Sequence, residues 1–308
     1  MTDEEYIEAY RQVFQEKTQR RAGALELDEK VANLGAAVIE KGARDLLKEQ
    51  DVDIEKIEES NEQLSMRLAE RLRTVDEELS KAPEDMEEER QRYAFMMKQR
   101  VSAQQEDPSD PCVESPPRVI FTDIPRTCSD GCRVEMASDR SLGRAYPVLV
   151  VRGTGWNQMR TAEVYCEYLW AFSPRTTGLH YINPHIEFHG RVVMAFEHHC
   201  YSDSSGTGYD FELTMGHAQP TAGTVSPVFT RVPLTLPHVA GTLRYDGFRW
   251  PHYECHLQGG HRVYIHVGLR FWVSARSRYA SVNFNFGDPR SDNFIGMPWL
   301  CYLGPGDF

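Results

Sequence analysis

The stretch HRVYIHVGLRFWV, residues 261–273, decides the fold class of this chain. Val263 and Ile265 alternate with polar or aromatic neighbours, which is the period of two expected of a β-strand with one buried face. The same alternation recurs in segments separated by Gly, Pro, Asn, Asp and Ser clusters, at 162–172, 185–189, 191–199, 209–215, 252–257 and 279–286. Residues 119–308 are therefore predicted to form an all-β antiparallel sandwich, jelly-roll-like, with about ten or more strands in two sheets.

The segment that precedes this stretch is predicted to pair with it. A three-residue loop, Gln258-Gly259-Gly260, places Cys255 opposite Val263 and Tyr253 opposite Ile265. This register sends all the polar or charged partners to the other side of the hairpin: His252, Glu254, His256, Arg262, Tyr264 and His266. A two-residue turn mixes polar and apolar residues on one face, so we predict the three-residue loop.

Residues 1–100 have helical spacing instead. One helix face is formed by Tyr6, Ile7, Tyr10, Val13, Phe14 and Lys17, and Gly23 is predicted to end this pattern. A second apolar series contains Leu27, Val31, Leu34, Val38 and Leu46. After a cap at Asp51 or Asp53, a further stripe contains Ile57, Asn61, Leu64, Leu68, Leu72, Val75 and Leu79.

Long, charged helices with a narrow apolar seam are stabilised mainly by packing against another helix. We therefore predict that 1–100 is an oligomerisation region, in which a coiled coil between chains and a helical hairpin within one chain are both open alternatives. Its contact residues are predicted to be Asn61, Leu64, Leu68, Leu72, Val75 and Leu79. The proline-rich segment 101–118 is predicted to be a linker. The predicted fold class is thus α+β with segregated helical and β parts.

Composition restricts the partners and the location of the protein. The net charge is −12 and the sequence has no broad basic surface, so nucleic acid is not expected as a partner. The apolar runs are too short to span a membrane, and the charged first twenty residues lack the apolar core of a Sec signal peptide. We expect a cytoplasmic protein or one assembled into a particle. Seven unevenly spaced cysteines favour a reducing compartment, although CSDGC at 128–132 is compatible with a local disulfide or half a zinc site.

Two similar motifs, PHIEFH at 184–189 and PHYECH at 251–256, carry most of the functional information. On strands they form two polar rows, the first of His185, Glu187 and His189 and the second of His252, Glu254 and His256. Such rows are candidates for Zn or Fe binding, and a Glu beside a His is also a candidate acid–base pair. The interpretation we favour is that they are solvated or interface-facing rows, so that no cofactor is expected. Each row is followed by Gly and then by Arg-Val, in GRVVM at 190–194 and GHRVYI at 260–265, which indicates two similar strand-turn-strand units.

Polar loops on a rigid sandwich are the usual place for recognition. The candidate ligand-binding residues in such loops are Trp156, Asn157, Asp203, Asp288, Asp292 and Asn293. The remaining tryptophans, Trp170, Trp250, Trp272 and Trp299, are predicted to pack in or beside the sheets.

Three functions are compatible with this organisation. The first is a non-catalytic, homo-oligomeric assembly or recognition protein, whose helical stem associates and whose β-sandwich head binds a protein or a glycan. The second is a metal-dependent sandwich enzyme that uses the His/Glu rows. The third is a structural subunit of a virion, an injection apparatus or a filament. No motif for a nucleophile or a nucleotide accompanies the rows, and we therefore favour the first.

Overall fold

The computed structural model describes residues 1–57, 59–60, 63, 66–67, 70, 113–114, 116–127, 132–153, 158–195, 206–224, 226–233, 241–276, 280–287 and 293–305. Over these residues a long N-terminal helix is followed by antiparallel β-sheets. The segregation into helical and β parts is confirmed. The coiled coil and the jelly-roll plan stay predictions.

Helix α1 spans Asp3–Glu49 as one piece. Thr2 and Glu5 form a capping box at its start, because each side chain accepts a hydrogen bond from the backbone of the other. The prediction that the helical pattern ends at Gly23 is wrong. A single glycine costs a helix only about 1 kcal/mol relative to alanine, and buried residues on both sides of it, Phe14 and Leu25, hold the helix in place.

The chain turns sharply after helix α1. Asp51 has a positive φ of 54°. The side chain of Asp53 accepts a hydrogen bond from the Lys56 backbone over 3.0 Å and caps a new helical segment that begins at Ile54. The predicted cap at Asp53 is confirmed. Ile54 packs against Leu47 across the turn.

Fifteen strands lie within the described residues. They are β1 (Val113–Glu114), β2 (Val119–Arg126), β3 (Cys132–Asp139), β4 (Arg144–Arg152), β5 (Met159–Phe172), β6 (Gly178–Pro184), β7 (Ile186–Ala195), β8 (Gly208–Ala218), β9 (Thr230–Val232), β10 (Gly241–Arg249), β11 (Tyr253–Leu257), β12 (Val263–Arg276), β13 (Ser281–Asn285), β14 (Phe294–Gly296) and β15 (Leu300–Leu303). A short 3₁₀ turn occupies Pro220–Ala222. Strand β1 lies inside the predicted 101–118 linker and pairs with β15.

The strands form three sheets where two were predicted. The five-stranded sheet has the order β2-β5-β12-β8-β9, and the four-stranded sheet has the order β1-β15-β6-β11. The six-stranded sheet has the order β10-β7-β13-β4-β14, with β3 beside β4. The chain passes from β6 in the four-stranded sheet to β7 in the six-stranded one at His185, whose backbone N–H donates to the Trp299 carbonyl. The sequence pattern does not indicate that β6 and β7 belong to different sheets.

The five- and six-stranded sheets pack face to face. Phe271 of β12 and Phe211 of β8 contact Phe284 of β13, with ring centroids 5.4 and 5.3 Å apart. The Tyr168 hydroxyl of β5 crosses the same interface and donates to the Ile295 carbonyl over 2.9 Å. One continuous apolar core therefore joins the two sheets, which is the defining feature of a sandwich.

The predicted hairpin between 252–257 and 261–273 is wrong. Strand β11 pairs with β6, where Cys255 lies opposite His180, whereas β12 lies between β5 and β8. Both hydrogen-bonding edges of β12 are thus occupied by long strands. The Gln258–His261 turn carries the chain from the four-stranded to the five-stranded sheet instead, and Gly260 takes a positive φ of 76° there.

The predicted turn at Gly190 is also wrong, because β7 runs through this residue as one strand. Gly190 is needed for close packing: a Cβ built on it lies 2.5 Å from the Phe286 ring and 2.7 Å from the Asn285 carbonyl oxygen. The first motif is therefore not a strand-turn-strand unit. The residues that alternate with the two polar rows are nevertheless buried, namely Ile186, Phe188, Tyr253 and Cys255.

The first half of helix α1 packs on the outer face of the five-stranded sheet. Tyr6 stacks on Tyr264 with ring centroids 3.7 Å apart, and Phe14 stacks on Phe121 at 5.4 Å. Asp3 forms an ion pair with Arg262 at the start of the helix. The residues that the sequence places on the polar side of β12 are therefore covered by the chain's own N-terminus.

The described cysteines include both free and disulfide-bonded residues. Cys166 and Cys255 are free and buried, where a thiol acts as a small hydrophobe. Cys132 of the CSDGC segment is disulfide-bonded and is therefore not available as a zinc ligand. Within the described part of the chain, none of the helices has the length and apolar character that a membrane-crossing segment requires.

Candidate ligand-binding surface

The first predicted polar row lies along β7 in the six-stranded sheet. His185, just before the strand, is buried, and its Nε2 atom lies 3.2 Å from Oε1 of Glu187. His189 is partly exposed, and its Nδ1 atom lies 2.7 Å from Oδ1 of Asp246 on the neighbouring strand β10. The alternation of the strand therefore places imidazole and carboxylate groups side by side on one face.

Three aromatic rings surround His185 at the start of this row. His185 stacks on Trp299 at 4.2 Å between ring centroids and meets Trp250 edge-on at 4.5 Å. Phe248 lies 5.2 Å from the same imidazole, and its backbone is paired with that of Glu187. We call Phe248, Trp250, Trp299 and His185 the aromatic surface. Its centre is buried, whereas the rings of Phe248 and Trp250 are each 49% exposed.

Further polar and aromatic groups extend the aromatic surface along the strand. The ring of Phe294 on β14 lies 4.6 Å from that of His189, and the guanidinium of Arg144 lies 3.7 Å from the centroid of the Phe294 ring. Glu187 sits between Phe248 and Gly296, and a Cβ built on Gly296 lies 3.2 Å from its Oε2 atom. Glycine thus leaves room beside the carboxylate. The arrangement offers hydrogen-bond acceptors next to exposed ring faces.

The second predicted row lies on β11, at the edge of the four-stranded sheet. His252 bonds to Asn183 over 2.9 Å and to Glu254 over 3.1 Å, and His256 is exposed. The two rows therefore belong to different sheets and do not form one site. Among the residues that the structure describes, no three His, Cys, Asp or Glu side chains come together as a metal-ligand group. The zinc or iron hypothesis stays a prediction without an assembled ligand set.

Most of the predicted loop and oligomerisation residues lie outside the described residues. These are Trp156, Asn157, Asp203, Asp288 and Asp292 in the loops, and Asn61, Leu64, Leu68, Leu72, Val75 and Leu79 in the helical region. Asn293 is described and is buried next to β14. The roles of all these residues in ligand binding and oligomerisation stay predictions.

Trp250 is a binding candidate that the sequence analysis did not select. Trp170 and Trp299 are buried and Trp250 packs beside the sheet on His185, as predicted, but Trp250 follows the end of β10 and presents half of its surface to solvent. The available signal was its position in FRWPH, residues 248–252, because the proline after Trp250 disfavours continuation of the strand. Phe248 was missed because nothing in the sequence indicated that β10 has an exposed face at this end.

A second polar cluster lies between helix α1 and the five-stranded sheet. Nδ1 of His266 is 2.7 Å from Oε1 of Glu167, and Nε2 of the same ring is 2.9 Å from the Tyr6 hydroxyl. The protonated Nδ1 donates to the carboxylate, whereas the direction of the Nε2–tyrosine hydrogen bond depends on the protonation of the ring. The ammonium of Lys17 lies 3.6 Å from Glu167 Oε2 and donates to the Tyr165 hydroxyl over 2.7 Å.

The ionisation of this cluster follows from burial and from its partners. Burial alone raises the pKa of Glu167, but the hydrogen bond and charge of His266 and the charge of Lys17 outweigh it and hold that pKa below the ordinary 4.5. Burial lowers the pKa of Lys17 against the attraction of Glu167. Burial, reinforced by the charge of Glu167, raises the pKa of the Tyr6 hydroxyl, which therefore stays protonated.

Arg270 continues the cluster along β12. Its guanidinium donates to Glu212 over 2.8 Å and to Glu163 over 2.9 Å, and Arg21 of the helix lies 3.7 Å from Glu163. The signal for this interface is the presence of Glu163 and Glu167 within the otherwise apolar segment 162–172. Both carboxylates are fully buried, so they need cationic partners. We assign the cluster to docking of the helix.

Comparison with known proteins identifies no family. No protein-family model matches the sequence, and no curated protein matches it. The enzymatically active domain of bacteriophage CBA120 tailspike protein 4 is similar over 60% of this chain and 19% of that chain, with 9% identity and a TM-score of 0.22. TmCBM61, solved in complex with β-1,4-galactotriose, is similar over 61% of this chain and 90% of its own, with 8% identity and a TM-score of 0.21.

A third solved structure, CBM35 from Cellvibrio japonicus Abf62, is similar over 63% of this chain and 94% of its own, with 11% identity and a TM-score of 0.22. This chain thus spans about a fifth of the tailspike chain. Likenesses at TM-scores this low carry no argument about the function of this chain.

Proposed function

We propose that this chain is a non-catalytic, homo-oligomeric recognition protein whose β-sandwich head binds a glycan at the aromatic surface. The observation that carries this proposal is the pair of half-exposed rings, Phe248 and Trp250, packed on the buried His185. Sheet strands and the imidazole hold both rings in place, so binding costs little side-chain entropy. The helical N-terminus provides the oligomeric assembly.

The chemistry of the surface fits a sugar. A pyranose has an apolar face of C–H groups, which packs on an aromatic ring, and a rim of hydroxyls that need hydrogen-bonding partners. The rings of Phe248 and Trp250 supply the first kind of contact. Glu187 and the His189–Asp246 pair, on the adjacent strands β7 and β10, supply acceptors and donors for the second. A few polar groups beside a rigid apolar platform are typical of small-ligand sites.

Binding of the full chain to an oligosaccharide array, followed by isothermal titration calorimetry with the best-bound sugar, tests this proposal. Truncation of a central aromatic residue costs a binding site about 2 kcal/mol or more, so Trp250→Ala is expected to weaken binding at least about 30-fold. Phe248→Ala is expected to weaken it as well, whereas the affinity of Glu187→Gln reports the contribution of the carboxylate.

Leu179→Ala is the matched control. Leu179 is an apolar residue of β6 with a similar exposed fraction, 44%, in a different sheet. Its substitution is expected to leave the affinity unchanged. A chain that binds no sugar on the array, or one that binds sugar equally well after Trp250→Ala, contradicts the proposed site. Capture of a protein ligand that is lost with Trp250→Ala assigns the surface to protein recognition and contradicts the glycan.

A further inference from the structure

Helix α1 carries a second apolar stripe, which does not contact the sheet. We call Leu27, Val31, Leu34 and Val38 the outer seam. Their exposed fractions lie between 62% and 74%. Their spacing of 4, 3 and 4 residues is the spacing of successive core positions in a two-helix coiled coil. Isolated exposed leucines are common on proteins, but four exposed apolar residues at this spacing form the pattern typical of helix-docking surfaces.

The outer seam lies on the side of helix α1 opposite the sheet. Thr18, Leu25, Glu29 and Ala36 are the buried residues along this part of the helix. At 3.6 residues per turn, the outer seam is rotated by roughly 140–200° from Glu29 about the helix axis. A second helix that packs on the outer seam and the β-sandwich therefore lie on opposite sides of α1, so the sandwich does not obstruct the second helix.

Two glycines flank the outer seam. Gly35 and Gly42 lie on one side of it, and a Cβ built on either meets no described atom within 4 Å. Each costs the helix about 1 kcal/mol relative to alanine. The described residues give no steric reason for this cost. A partner helix that approaches closely along this flank would give such a reason, because small residues allow two helix backbones to come near each other.

Charges at the ends of the outer seam select an orientation. Arg20, which pairs with Glu16 of its own helix, and Asp45 are exposed and lie on the line of the seam, seven residues beyond Leu27 and Val38. When two copies of α1 lie antiparallel and Val31 of one faces Leu34 of the other, Arg20 of each copy faces Asp45 of the other. A parallel, in-register pair places Arg20 against Arg20 and Asp45 against Asp45. Like charges at core positions destabilise a helix pair, so the antiparallel arrangement is favoured.

We propose that the occupant of the outer seam is a second copy of this chain, bound as an antiparallel helix pair around a two-fold axis between Ala32 and Asn33. The proposal rests on the oligomeric part of the proposed function and identifies its surface. The two β-sandwich heads lie on opposite sides of the pair. The dimer therefore carries two aromatic surfaces, one on each head.

Sedimentation equilibrium of the full chain tests the interface. Leu34→Glu places a charge in two symmetric layers and is expected to weaken the dimer by about 100-fold or more. Ile39→Glu is the matched control, because Ile39 is equally apolar and 62% exposed but points away from the outer seam. It is expected to leave the dimer unchanged. Circular dichroism checks that both variants keep their helix.

Charge reversal tests the orientation. Arg20→Asp and Asp45→Arg are each expected to weaken the dimer about 10-fold, and the double variant is expected to recover most of this loss. Failure of the double variant to recover contradicts the antiparallel arrangement. A chain that stays monomeric at about 100 μM contradicts the proposal altogether. The proposal is also contradicted if the native chain is a monomer whose folding stability falls more with Leu34→Glu than with Ile39→Glu. That result would mean that the chain's own 61–79 segment covers the outer seam.

Sugar binding separates this inference from the recognition function. The Leu34→Glu monomer is expected to bind the array-selected sugar with unchanged affinity per chain. Loss of self-association with sugar binding retained supports both proposals. A dimer without sugar binding contradicts the recognition surface alone. A native monomer that binds sugar contradicts both the helix pair and the oligomeric part of the proposed function, whereas a dimer that Leu34→Glu leaves intact contradicts the helix pair alone.

Discussion

Nδ1 of His266 lies 2.7 Å from Oε1 of Glu167, and both side chains are fully buried beneath helix α1. Tyr6 of the helix bonds to His266 and Lys17 pairs with Glu167, so helix and sheet are held together by hydrogen bonds and charges as well as by apolar contacts. Breaking one member of such a pair leaves its partners buried without compensation.

Glu167→Gln is expected to destabilise the protein by about 3 kcal/mol, because the neutral amide leaves Lys17 and His266 without their anion. Urea unfolding followed by fluorescence measures the change. Glu254→Gln is the matched control, since Glu254 also contacts a histidine but its side chain is 52% exposed. That substitution is expected to cost less than about 0.5 kcal/mol. Equal effects of the two substitutions contradict a role for the buried pair.

Stability is expected to fall as the pH is lowered from 7 to 4. Burial, with the charge of His266, lowers the pKa of His217 below the ordinary 6.5, and the partners of Glu167 lower its pKa below 4.5. For both groups the unfolded chain binds the proton more readily, so acid favours unfolding. The loss begins as the pH passes about 6.5 and deepens below about 4.5.

Urea midpoints at several pH values measure this dependence. In Glu167→Gln the part of the loss below about pH 5 is expected to disappear, whereas the part assigned to His217 is expected to remain. A protein that becomes more stable between pH 7 and pH 4 is incompatible with both shifts.

Phe14→Ala is expected to cost about 3–5 kcal/mol, because the buried ring packs on Phe121 of the sheet. Amide hydrogen exchange in the first five turns of α1 is expected to accelerate, since the contact with the sheet protects this part of the helix. Val13→Ala, at the adjacent exposed position, serves as the control and is expected to change stability by less than about 0.5 kcal/mol. If Phe14→Ala leaves both stability and exchange unchanged, the helix does not dock as described.

Gly190→Ala is expected to destabilise the protein by about 2 kcal/mol or more, because its Cβ meets the Phe286 ring and the Asn285 carbonyl. Gly247→Ala, on the neighbouring strand β10, is the control. Nothing lies within 4 Å of a Cβ at Gly247, and we expect this substitution to be neutral or slightly stabilising. Thermal unfolding of both variants measures the difference. A tolerated alanine at 190 contradicts the continuous strand β7.

The sequence determined those features that depend on residues close together in the chain. Alternation identified β5 and β12, and it correctly assigned Val263 and Ile265 to the core. Helical spacing identified Tyr6, Tyr10 and Phe14 as one face, and Asp53 was correctly predicted as a cap. The periods of helices and strands are set by local backbone geometry, so both can be recognised in a single sequence.

The tertiary structure decided which elements meet. The same alternation in β11 and β12 is compatible with a hairpin and with two separate sheets, because strand pairing depends on distant partners. The apolar face of α1 is likewise compatible with another helix, yet Tyr6, Tyr10 and Phe14 cover Tyr264 and His266 of the sheet.

The candidate site shows the same limit. Sequence alone selected His185 and Glu187 from their motif and placed them side by side on one strand. It did not reveal that Phe248, Trp250 and Trp299, distant in the chain, pack around His185. Those contacts arise only when β7, β10 and the segment before β15 come together, and burial of apolar surface over the whole domain drives that step.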